Sequence, residues 1–249
     1  MRATRLDYSI FDKFNFERKP VGIKYSLKRP DGIEPLDKSL AICEMFAHAQ
    51  TSKPFYATEE NTQCGEHVVG FVEFPPIMYS GQLGPRFSMF RNPAANRQIY
   101  DYVRVLPKDS VKYITHASID QMEFDPDLLI ITANARQAEI LLRASSYSNG
   151  KMWSIKGSTC LACAWLYSHP YLSGEWNLSI SGLGYSMKAR DVLPEGLIII
   201  SIPWNLLPGL IDDLNDMEWE PEWFSLGREG FIKAVRQLEK DIKQELSIE

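Results

Sequence analysis

The sequence has no cluster of basic residues and no long apolar run. Its 27 Lys and Arg residues are interspersed among 32 Asp and Glu residues, which gives a net charge of -5. Binding to a nucleic-acid backbone requires clustered positive charge, so we expect no nucleic-acid partner. The most apolar stretch, residues 196–211, is interrupted by Ser201, Pro203, Asn205 and Pro208. A membrane span needs about 20 mostly apolar residues, so this stretch predicts a buried strand and helix instead.

The N-terminal residues also lack the apolar core that a signal peptide requires. We therefore expect a cytoplasmic protein, without a membrane partner and in a reducing compartment. Structural disulfides are rare there, so cysteines are expected as thiols or metal ligands. A homo-oligomer is compatible with this composition.

The common catalytic motifs are missing as well. The chain has no G-x-G-x-x-G after a strand, no G-x-x-x-x-G-K-[ST], no H-E-x-x-H and no G-x-S-x-G. The sequence therefore specifies no reaction, and whether the protein is an enzyme stays open.

The apolar pattern predicts an α/β (or α+β) fold. Residues 127–133 form a buried strand pattern, and Asn134 can cap the helix that follows. Residues 197–202 and 206–214 repeat this order of strand and helix. We expect one domain, 1–249, with a mixed β-sheet flanked by helices. A C-terminal amphipathic helix should follow, with Phe231, Ala234, Val235, Leu238 and Ile242 on one face.

Four cysteines, Cys43, Cys64, Cys160 and Cys163, are the most informative chemical feature. Positions i and i+3 share one face of a helix, so Cys160 and Cys163 would converge if this segment is helical. With Ser158 or Thr159 as N-cap, the helix dipole would stabilise their thiolates. Four thiols match the ligand count of a [4Fe–4S] cluster or of a tetrahedral zinc site.

The spacing favours iron–sulfur over zinc, because structural zinc sites usually pair two short knuckles and this chain offers one. The leading hypothesis is a [4Fe–4S] protein for electron transfer or redox sensing, with a redox partner protein or small molecule. The alternative is a zinc-stapled module that binds a small molecule or protein without redox activity. Cys43 can also be an ordinary small buried side chain in its helix.

A second cofactor is expected near histidines and an aromatic loop. His48 follows Cys43 by five residues and His67 follows Cys64 by three, so either can approach the cysteines. Residues 75–93, rich in Pro, Gly and aromatics, predict an ordered loop or lid. A pocket for haem or another planar cofactor would be lined there by Met78, Tyr79, Phe87, Met89 and Phe90. Each histidine is more often a satisfied polar group, and the aromatics more often core.

Several short motifs resemble the family known as domain of unknown function 169. They are the sequence 19–24 (KPVGIK), Cys43 in a helix, Cys64-Gly65 followed by residues 69–71, and the strand 125–130 leading to Gln137-Ala138. The Cys160 region also matches, as does the glycine-rich segment 181–185 before Arg190. The resemblance spans nearly the whole chain.

The resemblance implies a protein of anaerobic bacteria or archaea with an oxygen-sensitive metallocofactor. A [4Fe–4S] cluster is the expected group, and a haem-type partner is compatible with it. Many members of the family carry a cysteine in the segment that corresponds to 181–185, and this chain has none there. Cys163 is then the expected substitute ligand.

Overall fold

The computed structural model describes residues 6–246. Within them, the strands are β1 (Val21–Ser26), β2 (Glu34–Pro35), β3 (Leu40–Ala41), β4 (Phe55–Ala57), β5 (Thr62–Cys64), β6 (Tyr113–Ser118), β7 (Leu128–Ala133), β8 (Asn177–Ile180) and β9 (Ile198–Pro203). Seven of these form one sheet in the order β2-β4-β6-β1-β7-β9-β8, while β3 and β5 pair with each other. The β2–β4 pair is parallel and the other pairs of the large sheet are antiparallel. The predicted mixed sheet with helices is confirmed.

The α-helices of the described residues are α1 (Ile42–Ala49), α2 (Pro76–Tyr79), α3 (Leu83–Arg86), α4 (Pro93–Arg97), α5 (Ala135–Tyr147), α6 (His169–Ser173), α7 (Tyr185–Ala189), α8 (Leu207–Asp216) and α9 (Gly227–Leu246). Short 3-10 turns occur at Ser9–Phe14, Glu59–Asn61, Gln98–Asp101, Trp204–Leu206 and Glu222–Ser225. Ala164–Ser168 form a π-helix that runs directly into α6.

The predicted strand–cap–helix unit in the second half is confirmed. All six residues of β7 are buried, as a continuous apolar run bounded by turns predicts. The Asn134 side chain accepts a hydrogen bond from the Gln137 backbone N–H at 2.9 Å, and the Gln137 side chain accepts one from the Asn134 N–H at the same distance. This reciprocal pair satisfies N–H groups that the first turn of α5 would otherwise leave without a partner.

The core that leads to the cysteines lies on one face of the sheet. Val21, Ile23 and Tyr25 alternate along β1 and belong to one buried cluster with residues of α1 and of the π-helix. Met45 and Phe46 are fully buried on α1, and Cys43 and Cys163 belong to the same cluster. The segments that carry Cys43 and Cys163 therefore pack against the sheet. Helix α5, which follows the Asn134 cap, packs against β7 and β9.

The chain divides into two compact units, residues 1–215 and residues 216–249. The second unit contains the 3-10 turn Glu222–Ser225 and α9, so the predicted C-terminal helix is confirmed. Phe231, Leu238 and Ile242 on its apolar face are 48%, 42% and 48% exposed. Among the described residues, no helix combines the length and the apolar character needed to cross a bilayer.

A buried histidine on β6 makes the stability of the fold depend on pH. Burial lowers the pKa of His116 to about 3, below the value of about 6.5 expected in the unfolded chain. Its contribution is therefore complete above about pH 6.5 and is lost as the pH falls toward 3. Because the unfolded chain takes up this proton and the folded chain does not, the unfolding free energy falls by about 2 kcal/mol between pH 6.5 and 5. We expect His116→Phe, which has no proton to gain, to lose correspondingly less unfolding free energy over this range.

Urea unfolding at each pH measures this difference. His48→Phe is the matched control, because burial also lowers the pKa of His48 but its side chain is less buried, so a smaller change in slope is expected. Equal pH slopes for the His116→Phe variant and the unaltered protein would show that His116 does not carry the effect.

Candidate metal and ligand site

Pairing of two short strands brings the first two cysteines together. β3 and β5 run parallel, and Ala41 lies opposite Cys64. α1 begins immediately after Ala41, so Cys43 lies in its first turn, beside the end of β5. The Cys43 and Cys64 thiols are close enough for their charges to interact. Residues 21 positions apart in the sequence are thus brought near each other.

A glycine after Cys64 allows the third cysteine to approach. Gly65 has φ +92°, a conformation that side-chain-bearing residues rarely adopt. A Cβ at this position would lie 3.0 Å from Ile42 Cγ1 and 3.3 Å from Cys163 Sγ. Negative charge on Cys43 or Cys64 would also raise the pKa of Cys163. The Cys163 sulfur therefore lies beside the residue that follows Cys64.

The C-x-x-C segment differs from its prediction. Leu161 has φ +56°, in the left-handed region, and the helical run begins only at Ala162. Cys160 therefore lies outside the helix, while Cys163 is in its first turn, and the prediction that both share one helical face is wrong. Instead of capping the helix, the Ser158 hydroxyl accepts from the Cys160 backbone N–H at 3.5 Å. The left-handed residue separates the two thiols, so that Cys160 faces a cavity that Cys163 does not line.

Buried hydrogen bonds fix these segments to one another. The hydroxyl of Tyr167, in the π-helix, donates to the Ile42 carbonyl at 2.9 Å and lies 3.3 Å from His116 Nε2. The indole N–H of Trp165 donates to the Cys160 carbonyl at 2.9 Å. Single-turn π-helices are rare and occur frequently at functional sites. Here the π-helix connects the residue before Cys43 to the Cys160–Cys163 segment.

The glycine-rich segment 181–185 lies against the same cysteines. The Tyr185 backbone N–H donates to the Thr159 carbonyl at 2.7 Å. A Cβ on Gly184 would lie 2.8 Å from the Cβ of Ala162, the residue before Cys163. The segment that should carry a cysteine by resemblance is thus adjacent to Cys163 in space.

Burial, rather than a helix dipole, dominates the electrostatics of the thiols. Burial raises the pKa of Cys43 to about 12 and raises the pKa of Cys163 well above its ordinary value. The pKa values of Cys64 and Cys160 are raised too, again mainly by burial. The prediction that the helix dipole stabilises the Cys160 and Cys163 thiolates is therefore wrong for the metal-free chain.

Arg190 is the cation of this group. Its charge lowers the pKa of both Cys64 and Cys43, although less than burial raises them. Arg190 Nη1 donates to the Ser186 carbonyl at 3.3 Å, and Nε lies 3.8 Å from Glu44 Oε2. The same carboxylate oxygen accepts from the Ala41 N–H at 2.7 Å.

A cavity of about 430 Å³ opens beside the cysteines. Much of its wall is apolar and comes from the segment 78–100 and from the residue after Gly184: Met78, Leu83, Phe87, Met89, Tyr100 and Tyr185. The polar side chains in the wall include Cys64, Asn96, Cys160 and Arg190. Cavities of about 300–1,000 Å³ are typical of small-molecule sites. The predicted loop or lid, 75–93, is thus folded into short helices that form one side of this cavity.

Only some of the residues predicted to bind a planar cofactor line the cavity. Met78 and Phe87 line the cavity, and the Tyr79 ring lies 5.6 Å from that of Tyr100, which lines it. His48 does not line it, and its ring lies 5.5 Å from Phe55. A helical residue five positions on is rotated by about 140°, which turns His48 away from Cys43.

His67 also lies outside the cavity wall. Its ring packs edge-on against Phe74 at 5.1 Å, and Nδ1 is 3.8 Å from a Glu66 oxygen. Burial lowers the pKa of His67, and the nearby Glu66 opposes this shift. Neither ring nitrogen has a hydrogen-bond partner among the described residues.

Sequence reasoning missed several residues of the wall. Asn96, Tyr100 and Arg190 line the cavity with the cysteines, yet only Arg190 stood near a recognised motif. Asn92 caps α4 by accepting from the Ala95 N–H at 2.9 Å. An Asn-Pro pair before a short helix was the available signal for α4, which carries Asn96.

Among residues 6–246, no three His, Cys, Asp or Glu side chains are gathered as a single metal ion requires.

Comparison with known proteins gives one result. The family model for DUF169, described as an uncharacterised ArCR, matches residues 9–213, which include every cysteine and the whole cavity. Neither a curated protein nor a solved structure matches the chain.

Proposed function

The chain belongs to the DUF169 family, and we propose that it binds a [4Fe–4S] cluster through Cys43, Cys64, Cys160 and Cys163 and acts in electron transfer or redox sensing. The observation that carries the proposal is the convergence of thiols from three separate segments. Cys43 lies at the start of α1 beside the end of β5, which carries Cys64, and the Cys163 sulfur lies beside Gly65. Cys64 shares a cavity wall with Cys160. Soft thiolate ligands suit iron–sulfur clusters.

The surroundings of the thiols fit such a group. Arg190 would offset part of the negative charge that four thiolates bring, because it already lies beside Cys64 and Cys43. A side chain at Gly65 would crowd Ile42 and the Cys163 sulfur, so glycine is what allows their close approach. When bound, the cluster would accept and release single electrons, and the buried segments around it would limit access of water to Cys43 and Cys163.

Two other functions remain candidates for the same residues. The zinc-stapled module uses the same thiols, and a haem or other tetrapyrrole would use the wall at Met78 and Phe87. Buried cysteines also occur simply as small apolar side chains. Iron–sulfur is preferred because one C-x-x-C pair and two isolated cysteines are unlike the two short knuckles of structural zinc sites.

The test is purification without oxygen of the intact chain and of the Cys160→Ala variant. We expect the unaltered protein to be brown, with broad absorption at about 400 nm from thiolate-to-iron charge transfer. Cys160→Ala should lose most of this absorption, and Ser186→Ala, another substitution in the cavity wall, should keep it.

Each other outcome identifies a different site. Absorption that persists unaltered in Cys160→Ala would overturn the ligand assignment. Colourless protein with one zinc per chain would support the zinc module, and a sharp Soret band would add haem. Colourless protein without metal after reconstitution with iron and sulfide would leave the cysteines as core residues.

A further inference from the structure

Helix α9 exposes an apolar stripe along its length. None of its 20 residues is buried. Phe231, Leu238 and Ile242 are exposed, and Val235 between them is half-buried. At a rise of about 1.5 Å per residue the helix is about 30 Å long, so these side chains form a line rather than an isolated spot. Contiguous exposed apolar surface marks an interaction site, whereas scattered apolar side chains do not.

The spacing of this stripe fits a second helix. Phe231, Val235, Leu238 and Ile242 are four, three and four positions apart. This alternation places apolar side chains on the narrow seam along which one helix packs against another. A helix that packs on the core of a domain shows a wider apolar face.

The charges beside the stripe argue against a bilayer surface. Glu239 follows Leu238 and Asp241 precedes Ile242, so each acid lies about 100° around the helix from a stripe residue, on opposite edges. The basic residues lie on the far side of the helix: Lys233, Arg236, Lys240 and Lys243. A membrane would therefore meet acidic edges where binding to anionic lipids needs basic ones.

The two ends of the stripe carry opposite charges. Three positions before Phe231 lies Arg228, and three positions after Ile242 lies Glu245, both of them exposed. In an antiparallel pair of identical helices, Arg228 lies opposite Glu245 of the second copy at both ends. In the same register Phe231 meets Ile242, and Val235 meets Leu238. A parallel pair would instead place Arg228 opposite Arg228 and Glu245 opposite Glu245, which is destabilising.

We propose that α9 pairs antiparallel with α9 of a second copy of this chain, so that the protein is a homodimer. The antiparallel seam is self-complementary in shape and charge, as a two-fold symmetric interface requires. The inference goes beyond the cluster and does not rest on it. No cysteine lies in α9, and the family match ends at residue 213, before this helix begins.

Sedimentation equilibrium of the intact protein over a range of concentrations tests the dimer. A seam of about three heptads is short, so we expect a reversible dimer with a Kd of about 1–100 µM. Leu238→Lys places a charge on the seam in both copies and should weaken the dimer about 100-fold or more. The helix itself should survive, because lysine has a helix propensity similar to that of leucine, and circular dichroism checks this.

Gln244→Lys is the matched control for the added charge. Gln244 is exposed and lies two positions after Ile242, about 200° around the helix and away from the seam. This variant should dimerise as the unaltered protein does.

Charge exchange at the ends of the seam tests the orientation. Arg228→Glu and Glu245→Arg should each weaken the dimer about tenfold, because either one places like charges opposite each other at both ends. The double variant should restore the original Kd. Loss of helix would not explain the weakening, since an acid at the start of a helix and a base at its end favour the helix dipole. A parallel pair predicts little change in all three variants.

A monomer at every concentration, or a dimer that Leu238→Lys leaves intact, would overturn the proposal. A dimer that is insensitive to the charge exchanges would contradict the antiparallel pairing. Binding of the protein to vesicles of anionic phospholipid through α9, without dimers, would also overturn it. Iron content measured in the same samples should be equal in all variants, so failure of the dimer and failure of the cluster are separate results.

Discussion

Alkylation of the metal-free protein will modify Cys64 and Cys160 far faster than Cys43 and Cys163. Cys64 and Cys160 are partly exposed and line the cavity, whereas Cys43 and Cys163 are 4% and 7% exposed. Burial raises the pKa of Cys43 to about 12, so that about one molecule in 10,000 carries the reactive thiolate there at pH 8. We expect a rate difference of about 100-fold or more between the two pairs.

Iodoacetamide at pH 8, followed by mass spectrometry of the peptides, measures these rates. In denaturant the four cysteines should react at similar rates, which controls for local sequence. Loading with iron and sulfide should protect all four, since each thiolate is then bound to iron. Similar rates for the two pairs in the folded protein would contradict the burial on which the site depends.

Gly65→Ala will destabilise the protein and abolish metal binding together. Alanine at φ +92° is strained by about 1–2 kcal/mol. Its Cβ would also lie 3.0 Å from Ile42 and 3.3 Å from the Cys163 sulfur, so that these neighbours must move. We expect a total loss of about 2–4 kcal/mol of unfolding free energy and loss of most of the bound iron.

Gly150→Ala is the matched control for the strain of placing alanine at a positive φ. Gly150 has φ +62° and nothing within 4 Å of the position of its Cβ, so this variant should lose only about 1 kcal/mol and keep its iron. Urea unfolding measures the loss of unfolding free energy in both variants, and iron analysis measures the metal that they retain. Equal losses, or full iron content in Gly65→Ala, would show that the close approach at Gly65 does not organise the cysteines.

The local pattern of the sequence predicted the elements that depend on neighbouring residues. The apolar run of β7 and the cap at Asn134 are both readable within a few positions, and both are confirmed. The convergence of Cys43 with Cys64 is different, because it depends on the parallel pairing of β3 with β5, strands of two and three residues. Strands this short leave no periodic signal.

The conformation at Cys160 could not be predicted from spacing. Leu161 adopts φ +56° although leucine favours helix, so tertiary contacts override the local preference. The Trp165 bond to the Cys160 carbonyl and the contact of Gly184 with Ala162 come from residues that spacing does not relate to the motif. Asn96 was missed for the same reason: its role arises from a cavity that several short segments enclose.

The most direct test of the central claim is the Mössbauer spectrum of the intact protein after anaerobic loading with ⁵⁷Fe and sulfide. The account predicts that about four irons bind per chain and give the single signature of a [4Fe–4S] cluster. It predicts further that this signature is lost when any one of the four cysteines is replaced by alanine. A spectrum that shows only unspecifically bound iron, or that is unaltered in these variants, would contradict the account.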